Sequence, residues 1–206
     1  MAIASAESSL PQRKTVLLLV DFINPLDFPG AEDLAASAVE AARATAALKN
    51  MLRDSGVPAI YANDNYGLWK SDFKDLVKRF QGGSGPAREL TRIIKPAAKD
   101  LTVLKPRHSA FHGSPLNLML EQMGAEEIIL TGVATDICIQ LTAMDAFLRG
   151  YRVRVPSDCT AAESTEFKTQ SLAYMARVLE CDTSPSSFFT PYRKARGART
   201  GSTHPQ

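Results

Sequence analysis

The chain has 206 residues, 45% of them hydrophobic, which is enough for one globular domain with a sizeable core and cramped for two. Its formal charge of +2 is unevenly placed: Arg193, Lys194, Arg196 and Arg199 fall in residues 191–206, which hold no acid, so the rest of the chain is net acidic and is no nucleic-acid binder by charge. Three cysteines, Cys138, Cys159 and Cys181, form no CxxC pair, which argues against a disulfide framework or a zinc knuckle and suits a reducing cytoplasm.

Residues 1–13 are expected to be a flexible leader; they lack a signal-peptide pattern, and no apolar run in the chain approaches bilayer length, so no membrane contact is expected. Thr15 to Val20 is a continuous apolar run of the kind found in a parallel strand buried on both faces, and it ends in Asp21. From Glu32 to Ser55, Leu34, Ala38, Ala41, Leu48 and Leu52 make one helical face, and Gly56 with Pro58 supplies the stop. Val57 to Ala62 is the second strand, followed by the polar turn Asn63-Asp64-Asn65. A long crossover then holds a helix from Ser71 to Phe80, a loop at residues 82–86 and a helical stretch near Glu89. That loop matches neither GxGxxG nor GxxxxGK[ST], so no nucleotide is implied.

Leu101 to Leu104 forms the third strand and ends in Lys105-Pro106; Ser114 and Pro115 open a helix that stops at Gly124. Glu127 to Thr131 is the fourth strand, and past a tight turn Ile137, Leu141, Met144 and Leu148 recur at helical spacing, with Thr135 or Asp136 as cap and Gly150 as stop. Arg152 to Val155 is the fifth strand, Ser164 to Leu179 a helix, and a sixth strand is expected around Cys181. Residues 191–206 read as a basic, flexible tail. This alternation predicts a three-layer Rossmann-like α/β fold, with a mostly parallel six-stranded sheet and helices on both faces.

In such sheets ligands bind beyond the carboxyl ends of the strands, so the residue after each apolar run is informative. Asp21, Asp64 and Lys105 follow the first three strands, and Cys138 the turn after the fourth. A base, a cation and a thiol at one edge can carry nucleophilic catalysis. At the start of a helix the dipole and unpaired N–H groups favour thiolate, the reactive form; the alternative for Cys138 is a small buried hydrophobe. Asp21 and Asp64 also suit plain turns, and Lys105 a surface cation. His108 and His112 are spaced i, i+4 but lie between Pro106 and Gly113 in an apparent loop, so the helical HxxxH face of a zinc site is missing; no metal and no cofactor are expected.

Three blocks, Leu19 to Asn24, Leu104 to Pro106 with Ser109-Ala110-Phe111, and above all Thr131 to Cys138 with Thr142 to Ala146, resemble in order the catalytic blocks of the isochorismatase-like cysteine hydrolase family, over residues 14–190. The resemblance implies a catalytic triad with Asp21 as general base, Lys105 as the cation that holds the thiolate and developing charge, and Cys138 as nucleophile. It also implies a cis peptide at Val133-Ala134, with the N–H groups of Ala134 and Cys138 as the oxyanion hole. Nicotinamidases of this family hold a metal with an Asp-x-His and a further His after the second strand; this chain has Asn63-Asp64-Asn65-Tyr66 there and is similar to the metal-free branch that includes N-carbamoylsarcosine amidohydrolase and isochorismatase itself. The expected activity is hydrolysis of a small molecule at a C–N bond of an amide or ureido group through a thioester. Alternatives are vinyl-ether hydrolysis of the isochorismatase type and a catalytically silent binding protein on the same fold. Asn24, Asp64, Tyr66, Trp69, Phe111 and the 82–86 loop are candidates for the pocket, and a homo-oligomer is expected.

Overall fold

The computed structural model describes residues 10–70 and 72–190; the basic tail and most of the leader lie outside them. Six strands, β1 (Thr15–Val20), β2 (Ala59–Asp64), β3 (Leu101–Lys105), β4 (Glu127–Val133), β5 (Arg152–Arg154) and β6 (Thr160–Ala161), form one sheet in the order β3-β2-β1-β4-β5, with β6 pairing with β4. Every strand pairing is parallel. The helices are α1 (Ala31–Asp54), α2 (Phe73–Gln81), α3 (Gly85–Ile94), α4 (Leu116–Met123), α5 (Gln140–Leu148) and α6 (Thr165–Val178).

Strand β1 shows why its sequence is apolar throughout: Leu17 and Leu19 face one core with Leu34, Leu48, Phe73 and Leu90, while Val16, Leu18 and Val20 face another with Leu116, Leu120, Ala143 and Met175. Successive strand side chains alternate faces, so a central strand covered on both sides has no polar face. Helices α1 to α3 therefore cover one face of the sheet and α4 to α6 the other. The order in which strands are added reverses at β1, with β2 and β3 on one side of it and β4 and β5 on the other, which makes the carboxyl ends of β1 and β4 the crevice of the fold.

Four expectations need correction. The segment around Cys181 contributes a single bridge, Asp182 to Arg154, and the sixth strand is Thr160–Ala161, set beside the end of β4. The turn after β4 enters its helix through one π-helical turn, Thr135–Ile139, with Ala134 at the N-cap and no side-chain cap; Thr135 Oγ1 and Asp136 Oδ1 are buried without hydrogen-bond partners among the described residues. Helix α5 buries the small residues Thr142, Ala143 and Ala146, whereas Leu141 and Leu148 are 39% and 78% exposed, so the large apolar stripe looks outward. Finally, the chain is engaged before Lys14: Leu10 packs on the core, Gln12 donates to the Gln122 carbonyl, and Arg13 N–H donates to the Met123 carbonyl.

Gly132 sets how closely β1 and β4 approach. It pairs with Val20 at φ 133, and a Cβ there would lie 2.0 Å from the Val20 carbonyl oxygen, with backbone and not a flexible side chain in the way. Gly132→Ala must push apart the two strands that carry the crevice, and it is expected to cost about 4 kcal/mol or more, read as a lowered denaturation midpoint. A midpoint equal to that of the wild type would contradict the close approach.

Candidate active site

Asp21 is the first residue past β1 and has φ 53, a left-handed conformation that aspartate tolerates better than most side chains. Its Oδ1 accepts from the Asp64 backbone N–H at 2.8 Å, which fixes the carboxylate at the end of the neighbouring strand. Lys105 closes β3 and is fully buried; its Nζ lies 2.7 Å from Asp21 Oδ2, 3.8 Å from Asp64 Oδ2 and 3.9 Å from Cys138 Sγ. The Asp21 carboxylate and the Cys138 thiol also act on each other electrostatically. Residues from the ends of β1, β3 and the turn after β4 thus meet at one point, Lys105 having reached across β2 to do so. The Val133-Ala134 peptide is cis, as the family resemblance implies.

Two carboxylates and a thiol surround a single ammonium, and every one of these groups whose titration moves holds its proton more firmly than usual. Burial raises the Asp21 pKa above 3.8, although Lys105 pulls it down. Burial alone would lower Lys105, but Asp21, Cys138 and Asp64 outweigh it and the net shift is upward. The Cys138 thiol is pushed up by burial and then by the Asp21 charge, against the pull of Lys105. Burial and the neighbouring carboxylate thus work against the thiolate that a helix start alone would favour, and the pull of Lys105 does not cancel them.

The segment after Lys105 is pinned from behind. Ser109 Oγ hydrogen-bonds the Asp145 carboxylate, and the Ala110 N–H donates to Thr142 Oγ1 at 3.0 Å, so the loop is tied to α5, the helix that follows Cys138. This holds His108 beside the thiol, with Nδ1 3.8 Å from Sγ. His108 is a member of the site that sequence reasoning weighed only as a metal ligand; its place three residues after Lys105 was the available signal.

A cavity of about 430 Å³ adjoins the cluster, lined by Asp64, Tyr66, Gly67, Trp69, Arg107 and His108 among others. Asp64, Tyr66 and Trp69, three of the pocket candidates, line this cavity. Tyr66 donates its hydroxyl to the Ile23 carbonyl at 3.2 Å, and burial among carboxylates drives its pKa up. Other candidates do not line it. Asn24 turns back to accept from the Leu26 N–H at 2.8 Å, and Phe111 is 5% exposed in the core, stacked on Tyr151. Gly85 and Pro86 of the loop open α3 instead. A larger cavity, about 570 Å³, opens beside Glu127 and Arg152, the residues that begin β4 and β5, and so lies at the opposite end of the strands from the cluster.

The positions that would carry a metal-binding Asp-x-His are taken by residues with structural bonds. Asn63 is buried and donates to the Ile23 carbonyl at 2.7 Å, and Asn65 accepts from the Gly67 N–H at 2.9 Å. Among the described residues no three His, Cys, Asp or Glu side chains converge as metal ligands, and no helix is long and apolar enough to cross a membrane.

The model of the isochorismatase domain matches residues 15–184. The isochorismatase family protein YaaI of Bacillus subtilis is 36% identical over 163 residues, which span 79% of this chain and 89% of that protein. Maleamate amidohydrolase of Pseudomonas putida is 29% identical over 158 residues, 71% of this chain and 72% of that one. Among solved structures, N-carbamoylsarcosine amidase from Thermoplasma acidophilum superposes with a TM-score of 0.63 at 27% identity, covering 86% of this chain and 99% of that chain. With the doubly covered parallel sheet and the cluster at its switch point, these likenesses place the chain in the isochorismatase family of hydrolases.

Proposed function

We propose that the protein hydrolyses a C–N bond of a small amide or ureido compound, with Cys138 as nucleophile. The observation that carries this reading is Lys105 Nζ, buried between the Asp21 carboxylate at 2.7 Å and Cys138 Sγ at 3.9 Å. Asp21 takes the thiol proton as Sγ bonds to the substrate carbonyl carbon. The oxyanion then rests on the N–H groups of Ala134 and Cys138, and Lys105 offsets the charge that the departing proton uncovers. Collapse breaks the C–N bond as Asp21 passes the proton to the leaving nitrogen, and a thioester remains on Cys138. Asp21 next draws a proton from water, which attacks the thioester and frees the acid and the thiol. Amidase names among the relatives, for maleamate and for N-carbamoylsarcosine, support C–N cleavage.

The test is a turnover screen across small amides, carbamoyl compounds and isochorismate, run on the wild type before and after exhaustive chelation and on Cys138→Ala. An amide turned over by the wild type, unaffected by EDTA and lost in the variant is the expected outcome. Turnover of isochorismate alone, or activity that EDTA removes and zinc or iron restores, would overturn the reading.

The same reading includes a cytoplasmic enzyme, supported by free Cys159 and Cys181 buried in the two cores, where no disulfide is needed. It includes a homo-oligomer, supported by exposed Leu68 and Trp69 beside the site and by exposed Leu141, Phe147 and Leu148 on α5. Light scattering at micromolar concentration should give a multiple of the 22.4 kDa chain mass, and a monomer mass would contradict it.

A further inference from the structure

We infer that His108 is a second proton carrier of the site and acts on the leaving nitrogen: once Asp21 has let the C–N bond break, His108 turns the freed amine into its ammonium. This rests on the hydrolytic reading above. His108 Nδ1 lies 3.8 Å from Cys138 Sγ, and among the described residues the ring has no other hydrogen-bond partner. The residue is exposed and lines the cavity of about 430 Å³ together with Asp64, Tyr66 and Trp69. Asp21 is the opposite case: it is 4% exposed and held by Lys105 at 2.7 Å and by the Asp64 N–H at 2.8 Å. A nitrogen that leaves the carbon attacked by Sγ departs from beside Sγ, so a ring 3.8 Å from Sγ on the cavity wall is within reach of it. The position of that ring is not a loose one, because Lys105 on one side is buried in the cluster and Ser109 on the other is bonded to Asp145. Imidazole also suits the task, since it both gives and takes a proton near neutral pH.

The protons balance over a cycle that begins with Asp21 ionised, Cys138 a thiol and His108 protonated. Asp21 takes the thiol proton as the S–C bond forms and passes it to the nitrogen as the C–N bond breaks, which frees a neutral amine. The imidazolium gives that amine a further proton, and the Asp64 carboxylate on the same cavity wall can pair with the ammonium so formed. An ammonium has no lone pair, so it does not attack the thioester again and water is left as the acceptor. Asp21 draws a proton from that water, the S–C bond breaks, and the departing thiolate recovers the proton from Asp21. The carboxylic acid then gives its proton to His108, which restores the starting state. In sum one amide and one water are consumed, and one carboxylate and one ammonium are released.

The role can be read in the full chain with p-nitrophenyl acetate as acyl donor. By microscopic reversibility, the group that protonates a departing amine also takes that proton from an ammonium that returns. Methylammonium must lose two protons to become an amide nitrogen, one before it attacks and one as it attacks. Hydroxylamine, neutral at mildly alkaline pH, loses only the second. Acetyl transfer to each is followed by mass spectrometry of N-methylacetamide and acetohydroxamate, after subtraction of the rate in Cys138→Ala. The ratio of methylamine to hydroxylamine transfer is expected to fall about tenfold or more in His108→Gln, and added imidazole is expected to restore part of it in His108→Ala. A base for the thiol, or a side chain with a merely structural role, would move both transfers alike, so a ratio that is the same in wild type and His108→Gln would overturn the proposal. The two readings fail in different ways: an unchanged ratio with acetyl found on Cys138 removes only the role of His108, whereas a Cys138 that neither the ester nor any amide of the screen acylates removes the hydrolytic chemistry and this role with it.

Discussion

Asp21→Asn should abolish turnover while making Cys138 easier to alkylate. The two effects have opposite signs because Asp21 does two things. Its negative charge raises the thiol pKa, so an uncharged amide in its place lets the thiolate form at lower pH, and iodoacetamide labelling should move toward neutrality. In the proposed reaction the same change removes the group that shuttles the proton from thiol to leaving nitrogen and then from water, and loss of a general base of this kind costs about 10²–10⁴-fold in rate. In the wild type, kcat/KM should decline as pH falls through the Asp21 pKa, and because burial raises that pKa the acid limb lies above 3.8. If Asp21→Asn labels more slowly than the wild type at neutral pH, or keeps its turnover, the carboxylate does not face the thiol as described.

Lys105→Met should be the most destabilising single change at the site. The methionine fills similar volume, yet it strands the buried Asp21 carboxylate without its partner at 2.7 Å. Breaking a buried pair from one side costs about 3–5 kcal/mol, roughly 10 °C in Tm for a domain of this size. The pH dependence has a definite sign. The Lys105 pKa is raised in the folded protein, so its contribution is fully present below the ordinary value of 10.5 and is lost as pH climbs through the folded value. The deficit of the variant should shrink again in acid, where Asp21 takes a proton and no longer needs a counter-charge. A Tm difference that is flat from acid to neutral pH would show that the cost is packing alone.

How far the sequence foretells this site can be followed residue by residue. The double-sided cores require β1 and β4 to be apolar through their central positions, and that pattern is visible in Val16 to Val20 and Ile128 to Leu130. The rule that ligands bind past strand ends then finds Asp21, Lys105 and Cys138 without any distance. Periodicity, however, defines a face and not its direction. Leu141, Met144 and Leu148 do share a face of α5, but the helix lies on the sheet through Thr142, Ala143 and Ala146, whose small side chains permit close approach. Burial was equally hidden in Phe111, which reads as a pocket aromatic and is core, and in Cys138, whose protonation depends on a carboxylate more than a hundred residues away in sequence. The place of His108 beside the thiol was hidden because a loop has no period, and only the bonds from Ser109 and Ala110 to α5 fix where it stands.

The central claim is a covalent bond between Cys138 and the acyl half of the substrate. It is tested most directly by intact-protein mass spectrometry of a rapidly quenched turnover reaction with an amide found in the screen. The account predicts a mass increase equal to the acyl group, mapped to Cys138 and absent in Cys138→Ala. Full turnover with no adduct at any quench time, together with an active Cys138→Ala, would contradict it.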